Sequence, residues 1–105
     1  MFGLQTFEKA AKDVLDYYVD WRTWLLNDPA TGSDDDTILD SRWSVSPTGV
    51  LLTRSSSFSS GITSVLLIGG QENALYIVTN TIDASNGVRT IEESRSFQIF
   101  ITKQR

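Results

Sequence analysis

Asp34-Asp35-Asp36 is the cluster whose residue type best suits a hard cation such as calcium, because carboxylate oxygens are its preferred ligands. The spacing works against that reading. Consecutive residues of an extended chain point to alternate sides, and the glycine and distal glutamate of an EF-hand loop are missing, so a solvated acidic loop is the plainer account. Asp16 with Asp20, or Glu92 with Glu93, could be a carboxylate pair for glycoside hydrolysis, which needs two carboxyls roughly 5 to 9 Å apart across a cleft. On one strand face Asp16 and Asp20 stand ~13 Å apart, so polar positions on a wet sheet face describe them better. Ser55, Ser56 and Ser57 have no His to activate them, and no serine-lysine motif is present. With neither His nor Cys in the chain, the commonest general base, the thiolate zinc site, the disulfide and the cysteine nucleophile are all missing. The expectation is a protein that is not an enzyme, with no catalytic residue, metal site or cofactor.

Aromatic residues offer binding rather than catalysis. Trp21, Trp24 and Trp43 have faces that suit sugar rings, but Trp21 shares the apolar parity of its segment and Trp43 sits where an immunoglobulin-like domain keeps its core tryptophan. Trp24 is the remaining surface candidate, equally placed as an interface anchor or a core residue. Phe2, Leu4 and Phe7 are costly to leave wet, so an arm carrying them docks either on its own domain or on a neighbouring subunit. Phe2, Leu4, Phe7, Trp24, Asp34, Asp35 and Asp36 are therefore the candidate partner-binding residues.

At 105 residues the chain has the size of one domain, able to bury roughly 65% of the surface its unfolded form exposes. The expected division is an arm over 1–12 and a single sandwich over 13–105. Residues 1–40 hold 9 acids and 3 bases, net −6, whereas 41–105 hold 4 acids and 6 bases, net +2, giving −4 in total. That balance repels phosphates and argues against a nucleic-acid partner. Met1-Phe2-Gly3-Leu4 lacks the start of a signal peptide, and no window approaches the ~20 apolar residues of a membrane span, so no membrane partner is expected.

The elements that would position these residues are strands. Leu15, Tyr17, Val19 and Trp21 alternate with polar residues and Tyr18, the period of a half-buried strand. After it, 27–33 is dense in turn formers, Ile38, Trp43 and Val45 suggest a second strand, and Ser46-Pro47-Thr48-Gly49 a turn. Val50 to Thr53 reads as a short strand, Ser55 to Gly61 as a polar connector, and 63–68, with Val65 and Leu67, as a strand closed by Gly69-Gly70. Leu75 to Ile82 and the run ending Phe97-Gln98-Ile99-Phe100-Ile101 are joined by Asn86-Gly87, which accepts the angles of a type I′ turn. A two-residue turn there sets Val78 against Arg95 and Asn80 against Glu93, which implies a bulge near Glu93. Tyr76, two residues before Val78, has the placement of a tyrosine corner. The fold expected is an all-β, immunoglobulin-like two-sheet sandwich of about seven strands. Its core holds Leu15, Tyr17, Val19, Trp21, Trp43, Val65, Leu67, Tyr76, Val78, Ile82, Phe97, Ile99 and Ile101.

Ordered segments also carry a resemblance. They are Lys12-Asp13-Val14-Leu15-Asp16-Tyr17, Asp20-Trp21-Arg22-Thr23-Trp24-Leu25, Asp36-Thr37-Ile38, Ser41-Arg42-Trp43-Ser44-Val45, 63–70, 76–82 and Arg95-Ser96-Phe97-Gln98-Ile99. Together the chain resembles a family of small tailed-bacteriophage virion proteins, the fiber-tail adaptors. That resemblance implies an immunoglobulin-like, non-enzymatic structural subunit at the neck or tail of a virion made in the host cytoplasm. Its partners would be tail, portal, neck or fiber subunits and further copies of itself. Two alternatives stand beside it: a capsid decoration protein bound to the major capsid protein, and a carbohydrate-binding module using Trp24 and the 27–36 loop.

Overall fold

The computed structural model describes residues 5–25, 37–49, 51–85, 87 and 90–102. Among them, seven strands and one helical turn follow in the order β1 (Thr6–Ala10), β2 (Val14–Asp20), α1 (Arg22–Leu25), β3 (Thr37–Ser46), β4 (Leu51–Ser59), β5 (Ile62–Gly69), β6 (Leu75–Ser85) and β7 (Thr90–Thr102). They form one sheet ordered β1-β7-β6-β3 and another ordered β2-β5-β4. Lettered A to G in chain order, B, E and D share one sheet and C, F and G the other, which is the immunoglobulin division. The first strand runs parallel to the last, Phe7 beside Ile99. Tyr76 completes its corner by accepting a hydrogen bond from the Gln71 backbone N–H at 2.8 Å. The all-β sandwich expected from the sequence is therefore the fold found.

Period-two patterning decides which faces meet. On β6 the inward positions Tyr76, Val78, Asn80, Ile82 and Ala84 are all buried, and on β5 Thr63, Val65 and Leu67 are. Tyr17, Leu51, Val65, Leu67, Tyr76, Val78, Phe97, Ile99 and Ile101 form the larger apolar cluster, with Phe7, Val19 and Trp43 packed against it. Trp21, Leu25, Ile82 and Ala84 form a smaller one with Trp24 at its side. Phe7, Tyr17 and Phe97 meet pairwise at ring-centroid distances of 5.5 to 5.6 Å, each pair contributing about 0.5–1.5 kcal/mol beyond its area.

A polar layer separates the two clusters. Asn80 is fully buried on β6, and its Oδ1 accepts from Trp21 Nε1 at 2.9 Å and from Thr63 Oγ1 at 2.6 Å. Its Nδ2 donates to Ser41 Oγ at 2.9 Å and to the Arg42 carbonyl at 3.0 Å. One amide thereby uses both its donors and both its acceptor sites to tie β6 to β3, to β5 and to the residue that follows β2.

Several expectations are corrected. Residues 6–10 are a paired strand rather than part of an arm, because Phe7 and Lys9 face inward beside Ile99 and Ile101. Ser55 to Ser59 continue β4 instead of forming a connector, since cross-strand pairing with β5 overrides the low strand propensity of serine. The final hairpin pairs Ser85 with Thr90, so four residues lie between them and not two. The shift preserves parity, sets Val78 against Phe97, and leaves β6 and β7 in unbroken register without a bulge near Glu93. Register instead shifts between Ile38 and Asp40 and between Thr53 and Ser55. Leu15 has the inward parity but is 38% exposed, because it lies near the start of an edge strand flanked by β5 alone.

Candidate partner-binding surfaces

Eight large apolar side chains among the described residues are substantially exposed, and five of them gather at one end of the sandwich. Register explains the clustering. Val14 and Leu52 both pair with Ile68, forming an apolar row across the outer face of the three-stranded sheet, and Leu15, of the opposite parity, lies at the same end on the inner side. The chain leaves β5 at Gly69 and enters β6 at Leu75, so Leu75 and Ile77 lie at that same end on the other sheet. There Leu75 is paired with Phe100. Val14, 38% exposed, and Leu52, 52% exposed, stand on one outer face at this end and Leu75, 47% exposed, on the other, so the end carries apolar side chains on both outer faces of the sandwich.

Lys9 fastens the chain at this end. It is 2% exposed, and its Nζ donates to the Gly69 carbonyl at 2.8 Å, to Ala10 at 2.9 Å and to Ala11 at 3.5 Å. Desolvation pushes its pKa below the ordinary 10.5, with the Asp13 carboxylate opposing that shift. The three carbonyls supply the hydrogen bonds a buried ammonium requires.

The opposite end is charged. Arg42 donates to Asp40 at 2.8 Å, to Asp83 at 2.9 Å and to Glu92 at 2.8 Å, and hydrogen bonds from Arg42 hold the Asp83 carboxyl below its usual range. Asp20 accepts from Arg22 Nε at 2.9 Å and Nη2 at 2.6 Å, and those bonds lower its pKa to about 2. Arg95 lies 4.4 Å from the centroid of the Trp21 ring and donates to the Asp20 carbonyl at 3.0 Å. The ion pairs of Arg22 and Arg42 are exposed and contribute little to stability.

Of the expected partner-binding residues, Phe2, Leu4, Asp34, Asp35 and Asp36 lie outside the described residues. Phe7 packs inside, 5.5 Å from both Tyr17 and Phe97, so it is a core residue here rather than one open to a partner. Trp24 is half-buried edge-on against Trp21 at 5.4 Å. Asp16 and Asp20 stand on the outer face of β2, paired with Leu66 and Ile62. Glu92 is engaged by Arg42, and Glu93 accepts from the Ser94 backbone N–H at 3.1 Å. The apolar end was missed by the sequence reading. The signal was Val14 beside Leu15, both apolar where a half-buried strand has one.

No His, Cys, Asp or Glu group that could hold a metal ion occurs among the described residues. No curated protein matches the chain. The sandwich carries its exposed chemistry as an apolar end, a charged end and two sheet faces. A family model described as podophage GP4 fiber-tail adaptor protein gp77 matches residues 9–99, nearly the whole chain, and the protein belongs to that family.

Proposed function

We propose that the protein is a non-enzymatic virion subunit that links the tail, at its neck or along its length, to fibers or neighbouring virion proteins. It does so by seating the apolar end of the sandwich on a partner subunit. The observation that carries this reading is the gathering of Val14, Leu15, Leu52, Leu75 and Ile77 at one end of a chain whose family is a fiber-tail adaptor. A partner surface over those side chains would remove apolar area from water at about 25 cal/mol per Å². The occupant is a tail or fiber protein, and further copies of the chain stand beside it as in most symmetric assemblies.

Imaging of purified particles by cryo-electron microscopy tests the location. Copies confined to the tail vertex are expected, and a shell-wide distribution would make the protein a capsid decoration subunit instead. Substituting Leu52→Asp together with Val14→Asp tests the surface. Both side chains are exposed, so the isolated protein is expected to keep its melting temperature while incorporation into particles falls. Undiminished incorporation would rule out the apolar end as the docking surface.

A further inference from the structure

Beyond the apolar row, the outer face of the three-stranded sheet changes character. A shallow trough of ≈ 830 Å³ runs across it. Its chemistry comes from Asp16, Tyr18, Asp20, Arg22, Ser57 and Ser64. Tyr18 is the most exposed large apolar side chain among the described residues, at 69%. It stands on β2 between Asp16 and Asp20, which lie ~7 Å to either side on the same face. Across the sheet, Tyr18 pairs with Ser64, which pairs in turn with Ser57, and the two serine hydroxyls are 3.0 Å apart. Leu66 and Ile62 lie between these polar groups as a half-buried floor.

We infer that this trough binds a short neutral oligosaccharide, with a sugar ring on the Tyr18 face and its hydroxyls bonded to Asp16, Ser57 and Ser64. Three features select that ligand class. An exposed aromatic face provides an apolar platform for the C–H side of a ring. Carboxylates accept strong, charge-assisted hydrogen bonds from hydroxyl groups, and each serine hydroxyl both donates and accepts, which suits a polyhydroxylated ligand. Arg22, the cation lining the trough, is already held by Asp20 at 2.6 Å, so nothing there favours an anionic sugar or a phosphate.

Asp and Ser, types depleted at protein interfaces, make up most of the polar lining, while Tyr18 and Arg22 are of types enriched there, so a protein partner is one outcome of the test. The span from Asp16 to Asp20, ~13 Å, accommodates more than one ring. This site is distinct from the apolar end and uses neither Trp24 nor the 27–36 segment, so it stands or falls independently of how the adaptor docks.

The test is saturation-transfer NMR on the full chain against neutral oligosaccharides of glucose, galactose, mannose and N-acetylglucosamine at millimolar concentration. It is followed by titration of the best binder by the shift of amide resonances. The expected result is saturable binding to at least one oligosaccharide, weakened about tenfold or more by Tyr18→Ala and by Asp16→Asn, and unchanged in Trp24→Ala. Tyr18 and Asp16 are exposed, and an unchanged melting temperature in both variants shows that lost binding is not lost folding. No saturation transfer with any of these sugars would overturn the inference. So would binding that Tyr18→Ala leaves intact. Loss of particle incorporation in Tyr18→Ala without any sugar binding would reassign the trough to a protein partner.

Discussion

Substituting Asn80 should separate the stability of the two sheets' union from the stability of either sheet. In Asn80→Ala, Trp21 Nε1 and the Thr63 hydroxyl lose their acceptor, and the Arg42 carbonyl loses a donor. Trp21 and Thr63 are fully buried, so water does not replace what is lost. A buried group left unpaired costs ~1–3 kcal/mol, and the Thr63 hydroxyl can rotate to recover part of that, so the expected loss is about 3–5 kcal/mol. For a chain of this size that is a large share of total stability and a fall in melting temperature of about 15 °C or more. Urea unfolding followed by tryptophan emission measures it directly, with an unchanged m-value as the sign that only stability moved.

Asn80→Asp sharpens the test by keeping the shape and replacing Nδ2 by an oxygen that faces the Arg42 carbonyl. Burial raises that carboxyl's folded pKa above its unfolded value of about 3.9, so the unfolded chain releases its proton first. The variant is therefore most stable relative to the parent below about pH 4 and loses ground as pH rises toward the folded pKa. A loss under about 1 kcal/mol in Asn80→Ala, or an Asn80→Asp variant that tracks the parent at every pH, would refute the account of the polar layer.

Three further outcomes follow from packing and charge. Gly70 sits at φ +112°, and an added Cβ would lie 2.5 Å from Ile101 Cδ1, so Gly70→Ala is expected to cost about 2 kcal/mol or more, read as a lower urea midpoint. Lys9 has a folded pKa below its ordinary 10.5, so between those two values the unfolded state binds more protons and stability rises with pH. That rise should vanish in Lys9→Met, and comparing the two proteins cancels the opposing contribution of Tyr17, whose pKa burial raises above 10.0. Arg95→Ala uncovers one face of the Trp21 ring, which should shift tryptophan emission to longer wavelength and cost about 0.5–1 kcal/mol.

The strands legible in the sequence were those that alternate. Tyr17, Trp21, Tyr76, Val78 and Ile82 follow the two-residue period and are buried as it requires. Where pattern and pairing disagree, pairing wins. Ser55 to Ser59 read as a linker because serine has low strand propensity, yet β5 offers a full row of backbone partners. Thr6 to Ala10 was obscured by Lys9, a charge at an inward position, because its three carbonyl partners come from Gly69, from Ala10 at the end of its own strand and from Ala11 just beyond it. Parity also cannot show which ends of an edge strand the opposite sheet covers, and so Leu15 was placed in the core.

The two outer sheet faces divide the molecule's work. On the four-stranded sheet, Thr79 pairs with Ser96 at 2.7 Å, Thr81 with Ser94 at 2.7 Å, and Thr6 with Gln98 at 2.9 Å. Those side chains bond to one another in pairs along the middle of that face. On the three-stranded sheet Ser57 and Ser64 form one such pair at 3.0 Å, while among the described residues Tyr18 and Asp16 make no cross-strand side-chain bond, and apolar Val14, Ile68 and Leu52 continue the face to its end. An adaptor must hold a partner without unfolding, and the polar layer at Asn80 lies inside the sandwich, away from either exposed surface. Binding at the apolar end or in the trough therefore places no demand on the contacts that join the sheets. The consequence is that surface substitutions at Leu52 or Tyr18 and core substitutions at Asn80 should combine additively in stability, because no side chain is shared between them.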